Sequence, residues 1–246
     1  MIRTAVVSAV VALAIAGLAA CDGGSEKSNA DKDAKALADD ALARLRKADD
    51  VKMVGGGDNQ GKKQDVDVCL RNADLQGTMK VDGSPVDIVL IGTFVYMKAE
   101  PDFWAAALAE QGPQAVLMSK LFAGRYVKTP AKGEDGQDGS VGGMSDFFQG
   151  SAEGVVKGEV VTVDGRKLVP LSKKNAKGNT VTLHVPEKGE PFPTLVTVSG
   201  SVTMKLNLTR GAQKCTPTAP PADQVIDPEA LERGGAPTAP TANTQT

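Results

Sequence analysis

The chain has 246 residues, a net charge of −2 and no block of basic residues, so nucleic acid is an unexpected partner. Apolar residues make up 41% of it but aromatic residues only 4%, so its core must be built from Val, Leu, Ile, Ala and Met. With a single histidine, His184, and no C-x-x-C pair, the usual zinc ligand sets cannot be assembled, and no metal is expected.

The N-terminus carries the strongest local signal. Arg3 precedes an apolar run from Ala5 to Ala20 that ends in Leu18-Ala19-Ala20-Cys21. The run is shorter than the roughly 20 residues a spanning helix needs, which favours cleavage over crossing. Small residues before a cysteine are what a lipoprotein signal peptidase requires. Residues 1–20 therefore read as a lipoprotein signal peptide with its lipobox, and Cys21 as the lipidation site, carrying diacylglycerol and an N-acyl group such as palmitate. The expected location is the outer face of a bacterial cytoplasmic membrane, and two or three acyl chains anchor a protein there stably. No other cofactor is expected.

Residues 21–33 are rich in Gly, Ser, Asn, Lys and Asp and read as a flexible tether. Ala34, Leu37, Ala38, Ala41, Leu42, Leu45 and Ala48 then recur at helical spacing, predicting an amphipathic helix over about 31–49. Gly55-Gly56-Gly57 with Asp58, Asn59 and Gly61 reads as a turn cluster before the first strand. Beyond it the period changes to two. Val66, Val68 and Leu70 share one face of a strand whose other face carries Cys69. Leu75 to Val81, Val86 to Ile91 and Phe94 to Lys98 follow, joined by turns such as Asp82-Gly83.

Helical spacing returns at Phe103, Trp104, Ala107 and Leu108 and again from Gln114 to Phe122, with Pro113 between. A brief strand at Tyr126 to Lys128, a Gly-rich loop at 131–143 and a short helix over Val141 to Phe148 are expected next. Strands resume at 153–163, 166–172, 181–185, 195–199 and 202–208, the last with Val202, Met204, Leu206 and Leu208 on one face. Residues 216–246 are dominated by Pro, Ala and Thr and read as a largely disordered tail. Residues 34–215 are expected to form the one folded domain.

Eight or nine strands with one apolar face each, and apolar helices between two meanders, predict an α+β fold. Its curled antiparallel β-sheet, a half-barrel, covers helices on its concave face. With Cys21 acylated, Cys69 and Cys215 remain, and an exported protein would pair them in one disulfide; two separate free thiols are the alternative.

Leu90-Ile91-Gly92-Thr93-Phe94-Val95-Tyr96-Met97-Lys98, then Trp104, then Leu121-Phe122-Ala123-Gly124-Arg125-Tyr126-Val127-Lys128 resembles a pattern of actinobacterial lipoproteins of the LppX/LprAFG family. That family is similar in fold to the LolA/LolB carriers, and its mycobacterial members are associated with acylated lipids or glycolipids moving across the envelope. The resemblance implies a lipid or other lipophilic ligand held in an aliphatic cavity, for carriage or presentation. The cysteine pair and the Gly133 to Gly143 loop lie outside the pattern.

Candidate residues for the lipid-cavity lining are Val68, Leu70, Met79, Ile88, Leu90, Leu117, Leu121, Leu183, Met204 and Leu206. The same stripes could close as a solid core, making the chain a surface-tethered interaction or sensor module with no ligand and an unknown protein partner. G-x-S-x-G, G-x-G-x-x-G and H-E-x-x-H are all missing from the sequence, and His184 reads as an exposed strand position, so no catalytic residues are assigned and no enzyme is expected.

Overall fold

The computed structural model describes residues 28–109, 112–131, 151–175, 178–211 and 214–232. The signal peptide, Cys21, the 133–143 loop, the 141–148 helix and the end of the tail lie outside the described residues.

A single curled sheet of 13 strands organises the molecule. Its first half is a meander of β1 (Val51–Asn59), β2 (Lys62–Arg71), β3 (Asp74–Val81), β4 (Ser84–Ile91), β5 (Phe94–Ala99) and β6 (Tyr126–Pro130). Its second half runs through the short β7 (Val156–Lys157) and β8 (Val161–Val163), then β9 (Arg166–Lys174), β10 (Thr180–Pro186), β11 (Leu195–Ser199) and β12 (Val202–Arg210). The halves join where β12 pairs antiparallel with β1, Gly55 opposite Leu206. β13 (Val225–Ile226) pairs in parallel with β6 and forms the far edge.

Local chemistry explains the tight connections. Asp82 and Gly83 have φ of 50° and 85°, the left-handed pair that a two-residue hairpin demands, and Asp164-Gly165 repeats it at 49° and 75°. The glycine cluster is different from its sequence reading. Gly55, Gly56 and Gly57 lie inside β1, and the turn falls at Gln60-Gly61. A Cβ on Gly55 would stand 1.9 Å from the Lys205 carbonyl oxygen, and one on Gly57 1.8 Å from that of Thr203. Glycine is what lets β12 close on β1 at that point, so the residues that resemble a turn instead allow the sheet to curl.

The helices cover the concave face. Asp33 caps α1 (Ala34–Arg46), accepting from the Ala36 N–H at 3.0 Å. Leu37, Ala38, Ala41, Leu42 and Leu45 of α1 are buried in the same cluster as the inward residues of the strands. The helix starts where Asn29 donates to the carbonyls of Pro186 (2.8 Å) and Gly189 (3.1 Å) beyond β10. It ends where the Asn72 N–H reaches the Ala48 carbonyl at the β2–β3 turn. Thus α1 spans from one half of the sheet to the other. Residues 28–33, expected to be tether, are part of the fold: Asn29–Asp31 is a 3-10 turn and Asn29 is fully buried.

α2 (Pro101–Ala107) and α3 (Gln114–Phe122) link β5 to β6 and pack on each other. The region expected as one strand at 153–163 is only the two short pieces β7 and β8, both against β9. The fold does not stop at residue 215. The chain continues through a 3-10 turn (Ala222–Gln224), β13 and α4 (Pro228–Glu232), and Ile226 is buried in the main core. No described helix is long and apolar enough to cross a membrane.

Candidate functional site

The interior between sheet and helices is where the strand pattern places its aliphatic side chains. Alternation puts Val66, Val68 and Leu70 of β2, Val86 and Ile88 of β4, and Val202, Met204, Leu206 and Leu208 of β12 on the concave side. They form one continuous cluster with α1, with Trp104 of α2 and with Phe122 of α3. Trp104 meets Phe103 and Phe122 edge to face, at 5.2 and 5.3 Å between ring centroids.

Of the ten residues expected to line a cavity, Val68, Leu70, Met79, Ile88, Leu183, Met204 and Leu206 are buried together in this cluster, and Leu90 and Leu121 pack against it partly buried. Leu117 does not belong to it. It is 72% exposed on the outer side of α3, beside Val116 at 57%. The helical period allowed either side of α3 to face inward, and the aromatic pair Trp104/Phe122 decides for the side bearing Phe122. A side chain lining a void wide enough for an acyl chain would keep accessible area toward that void. Leu183 and Leu206 keep none, so in this conformation protein atoms fill the space around them.

The sequence reading missed two inward residues, Ile226 and Leu231, because it assigned everything after Thr216 to a tail. The signal was present in the adjacent pair Val225-Ile226, β-branched residues in a Pro/Ala/Thr background. It also missed two polar atoms: Trp104 Nε1 and Thr129 Oγ1 are buried without a hydrogen-bond partner.

The outer face is chemically different. Cys69 points away from the core and is joined to Cys215, with Cα atoms 5.8 Å apart. Beside it lies an open groove of about 690 Å³ bordered by Lys52, Asp67, Gln76, Thr78 and Lys80, in which Lys52 and Asp67 are paired. That groove is open to solvent and carries charged side chains among its lining, unlike an enclosed acyl-chain site. At one end of α1, Glu190 accepts from Arg44 at 2.5 Å and Arg210 at 2.8 Å, and these two bonds hold its carboxyl down at about 2. Arg210 also stacks on Phe192 at 3.8 Å, so the cluster ties the β10–β11 loop to α1 and β12.

His184 is buried rather than exposed. Its Nε2 is 3.1 Å from Thr197 Oγ1 on β11, and its Nδ1 is buried without a partner. Burial, with Lys205 nearby, lowers its pKa. No serine or carboxylate is hydrogen-bonded to it among the described residues, so a triad is not assembled there. Among the described residues there is also no group of three or more His, Cys, Asp or Glu placed to hold a metal ion.

Several solved structures are similar to this chain. LprF from Mycobacterium bovis is 15% identical, with 76% of this chain and 96% of that one covered and a TM-score of 0.40. An uncharacterized conserved protein from Thermus thermophilus is 13% identical, covering 80% and 99%, with a TM-score of 0.44. The Mycobacterium tuberculosis lipoprotein LppX is 11% identical, covering 75% and 98%, with a TM-score of 0.42. No family model and no curated protein matches the sequence. Likenesses of this size carry no function across.

Proposed function

We propose that the chain is a membrane-anchored bacterial lipoprotein that binds an acyl lipid or other lipophilic ligand between the curled sheet and α1 to α3, for carriage or presentation in the cell envelope. Diacylglycerol and an N-acyl group on Cys21 hold it on the outer face of the cytoplasmic membrane. The observation that carries the reading is the continuous aliphatic concave face, to which strands of both halves of the sheet contribute and which helices rather than a second sheet cover. Helices packed on a sheet can shift outward without breaking its ladder, so an interior of this kind can admit an alkyl chain. Each buried methylene contributes about 0.8 kcal/mol, which makes aliphatic lining a sufficient recognition chemistry. The Cys69–Cys215 bridge supports a location outside the reducing cytoplasm.

A second reading is an interaction module with a solid core. The filled surroundings of Leu183 and Leu206 and the exposed Val116 and Leu117 favour it. Native mass spectrometry of the exported full-length protein, with organic extraction of bound lipid, separates the two. A stoichiometric acyl lipid in addition to the covalent one supports carriage. The mass of the acylated polypeptide alone, unchanged after incubation with envelope lipids, supports the module. Loss of labelled palmitate in Cys21→Ser tests the anchor.

A further inference from the structure

The core is closed by unequal means. Strands β1 to β5 and β9 to β12 bring their inward residues into it on antiparallel ladders with neighbours on both sides, and the α2–α3 hairpin is tied covalently at both ends. The segment 214–232 joins the sheet through a two-residue strand, Val225–Ile226. It leaves β12, is fixed to β2 through Cys215, and crosses the outer face, where the Thr218 N–H donates to Gln76 Oε1 at 3.3 Å. It then rounds the edge of the sheet. Its contacts there include the two-residue parallel pairing of Val225 and Ile226 with Tyr126 and Val127, the ion pair of Lys128 with Asp227 at 3.0 Å, and a bond from Arg125 to the Asp223 carbonyl at 3.2 Å. From this edge it places Ile226 in the core and Leu231, partly buried, against it.

We propose that 214–232 is a displaceable strap, and that the slot now filled by Ile226 and Leu231 beside β6 is where the alkyl chain of a lipophilic ligand enters the interior. This rests on the lipid-binding reading above. Two branched aliphatic side chains stand in the slot as surrogates for methylenes, so exchanging them for an alkyl chain keeps apolar surface buried throughout. Short parallel pairing at a sheet edge belongs to the low-stability end of local opening, whereas the long antiparallel ladders do not. The disulfide confines the motion. It keeps 215 on β2 while the part from Ala222 onward swings away from β6, so the strap returns when the ligand leaves.

The test uses the full mature chain with Cys21→Ser and cis-parinaric acid as the probe, its fluorescence reporting uptake. Tyr126→Cys with Val225→Cys adds a second bridge across the β13–β6 pair, the single Val225→Cys variant is the control, and a chain ending at Gln224 lacks the slot residues altogether. Uptake by the bridged form is expected to fall at least tenfold below the control, with the shortened chain taking up probe at least as fast as the parent. A bridged form that retains more than a tenth of the control rate overturns the strap alone, since the lipid reading still holds. Failure of parent and shortened chain alike to take up the probe overturns the lipid reading and the strap with it. Should the shortened chain not fold, hydrogen exchange of the parent decides: amides of 225–231 are expected to lose protection when probe binds, and unchanged protection overturns the proposal.

Discussion

Cys69 on β2 and Cys215 beyond β12 are joined across 146 residues of chain, a separation that encloses almost the whole sheet. The carbonyl of Cys215 also accepts from Arg71 Nη1 at 3.1 Å and its N–H donates to Asp50 Oδ1 at 2.7 Å, so the bridge sits in a fixed backbone setting. In the chain-entropy account a loop of this length restricts the unfolded state by about 5 kcal/mol. Replacing both cysteines with alanine is expected to lower the denaturant midpoint strongly, and urea unfolding with and without reductant measures the same loss in the parent.

Gly55→Ala is expected to destabilise by about 3 kcal/mol, because its Cβ would meet the Lys205 carbonyl oxygen at 1.9 Å and backbone cannot yield as a side chain does. Nothing stands within 4 Å of a Cβ at Gly61, so Gly61→Ala carries only the strain of its positive φ, roughly 1 kcal/mol. Equilibrium unfolding of the two variants gives the ranking directly, and equal losses would contradict the close approach of β1 and β12.

Leu206→Ala is expected to cost about 2–5 kcal/mol, since Leu206 is fully buried. Leu117→Ser should leave stability within about 0.5 kcal/mol of the parent, as its side chain is exposed. A calorimetric comparison checks both. Leu117→Ser is also the variant to assay for lost partner binding if the chain acts as an interaction module.

Glu190 titrates at about 2 in the folded protein, against 4.5 ordinarily, because Arg210 and then Arg44 donate to it. A carboxylate lowered in this way stabilises the fold fully above its unfolded value and loses that contribution as pH falls from 4.5 toward 2. The parent's melting temperature is therefore expected to fall more steeply over that window than that of Glu190→Gln, the two curves converging near pH 2. The carboxylate is partly solvated, so the gap should be a few degrees at most.

Burial, followed by the charge of Lys205, lowers the pKa of His184. The folded state then holds the imidazole neutral where the unfolded chain has already taken a proton. Stability from this site is complete above about 6.5 and declines as pH falls below that value, until the folded protein itself is protonated. In His184→Gln the melting curve should flatten between about pH 7 and 5, while an unchanged slope would place the titration elsewhere.

Most of the fold was legible in the chain because it rests on local chemistry. The period of three to four in Leu37, Ala41, Leu42 and Leu45 marks α1, the alternation of Val66, Val68 and Leu70 marks β2, and Asp82-Gly83 can close only a tight hairpin. The same periodicity assigned seven of the ten proposed lining residues to the buried cluster, since a strand has only two faces. Leu117 was misplaced because a helix as apolar as α3 has no local feature to say which side turns inward; contact with Trp104 on another helix decides it.

The same limit explains the other departures. By itself the sequence determined the helix and most of the strand segments, the turns, the polarity of each strand face and the two cysteines available to pair, all set within a few residues by backbone and side-chain preference. Only tertiary structure decided that Gly55 and Gly57 belong to a strand, because their reason is the approach of Lys205 and Thr203, far along the chain. It likewise decided that Val225 and Ile226 are ordered against β6, since two residues cannot nucleate a strand until an edge with unpaired backbone groups is there to receive them.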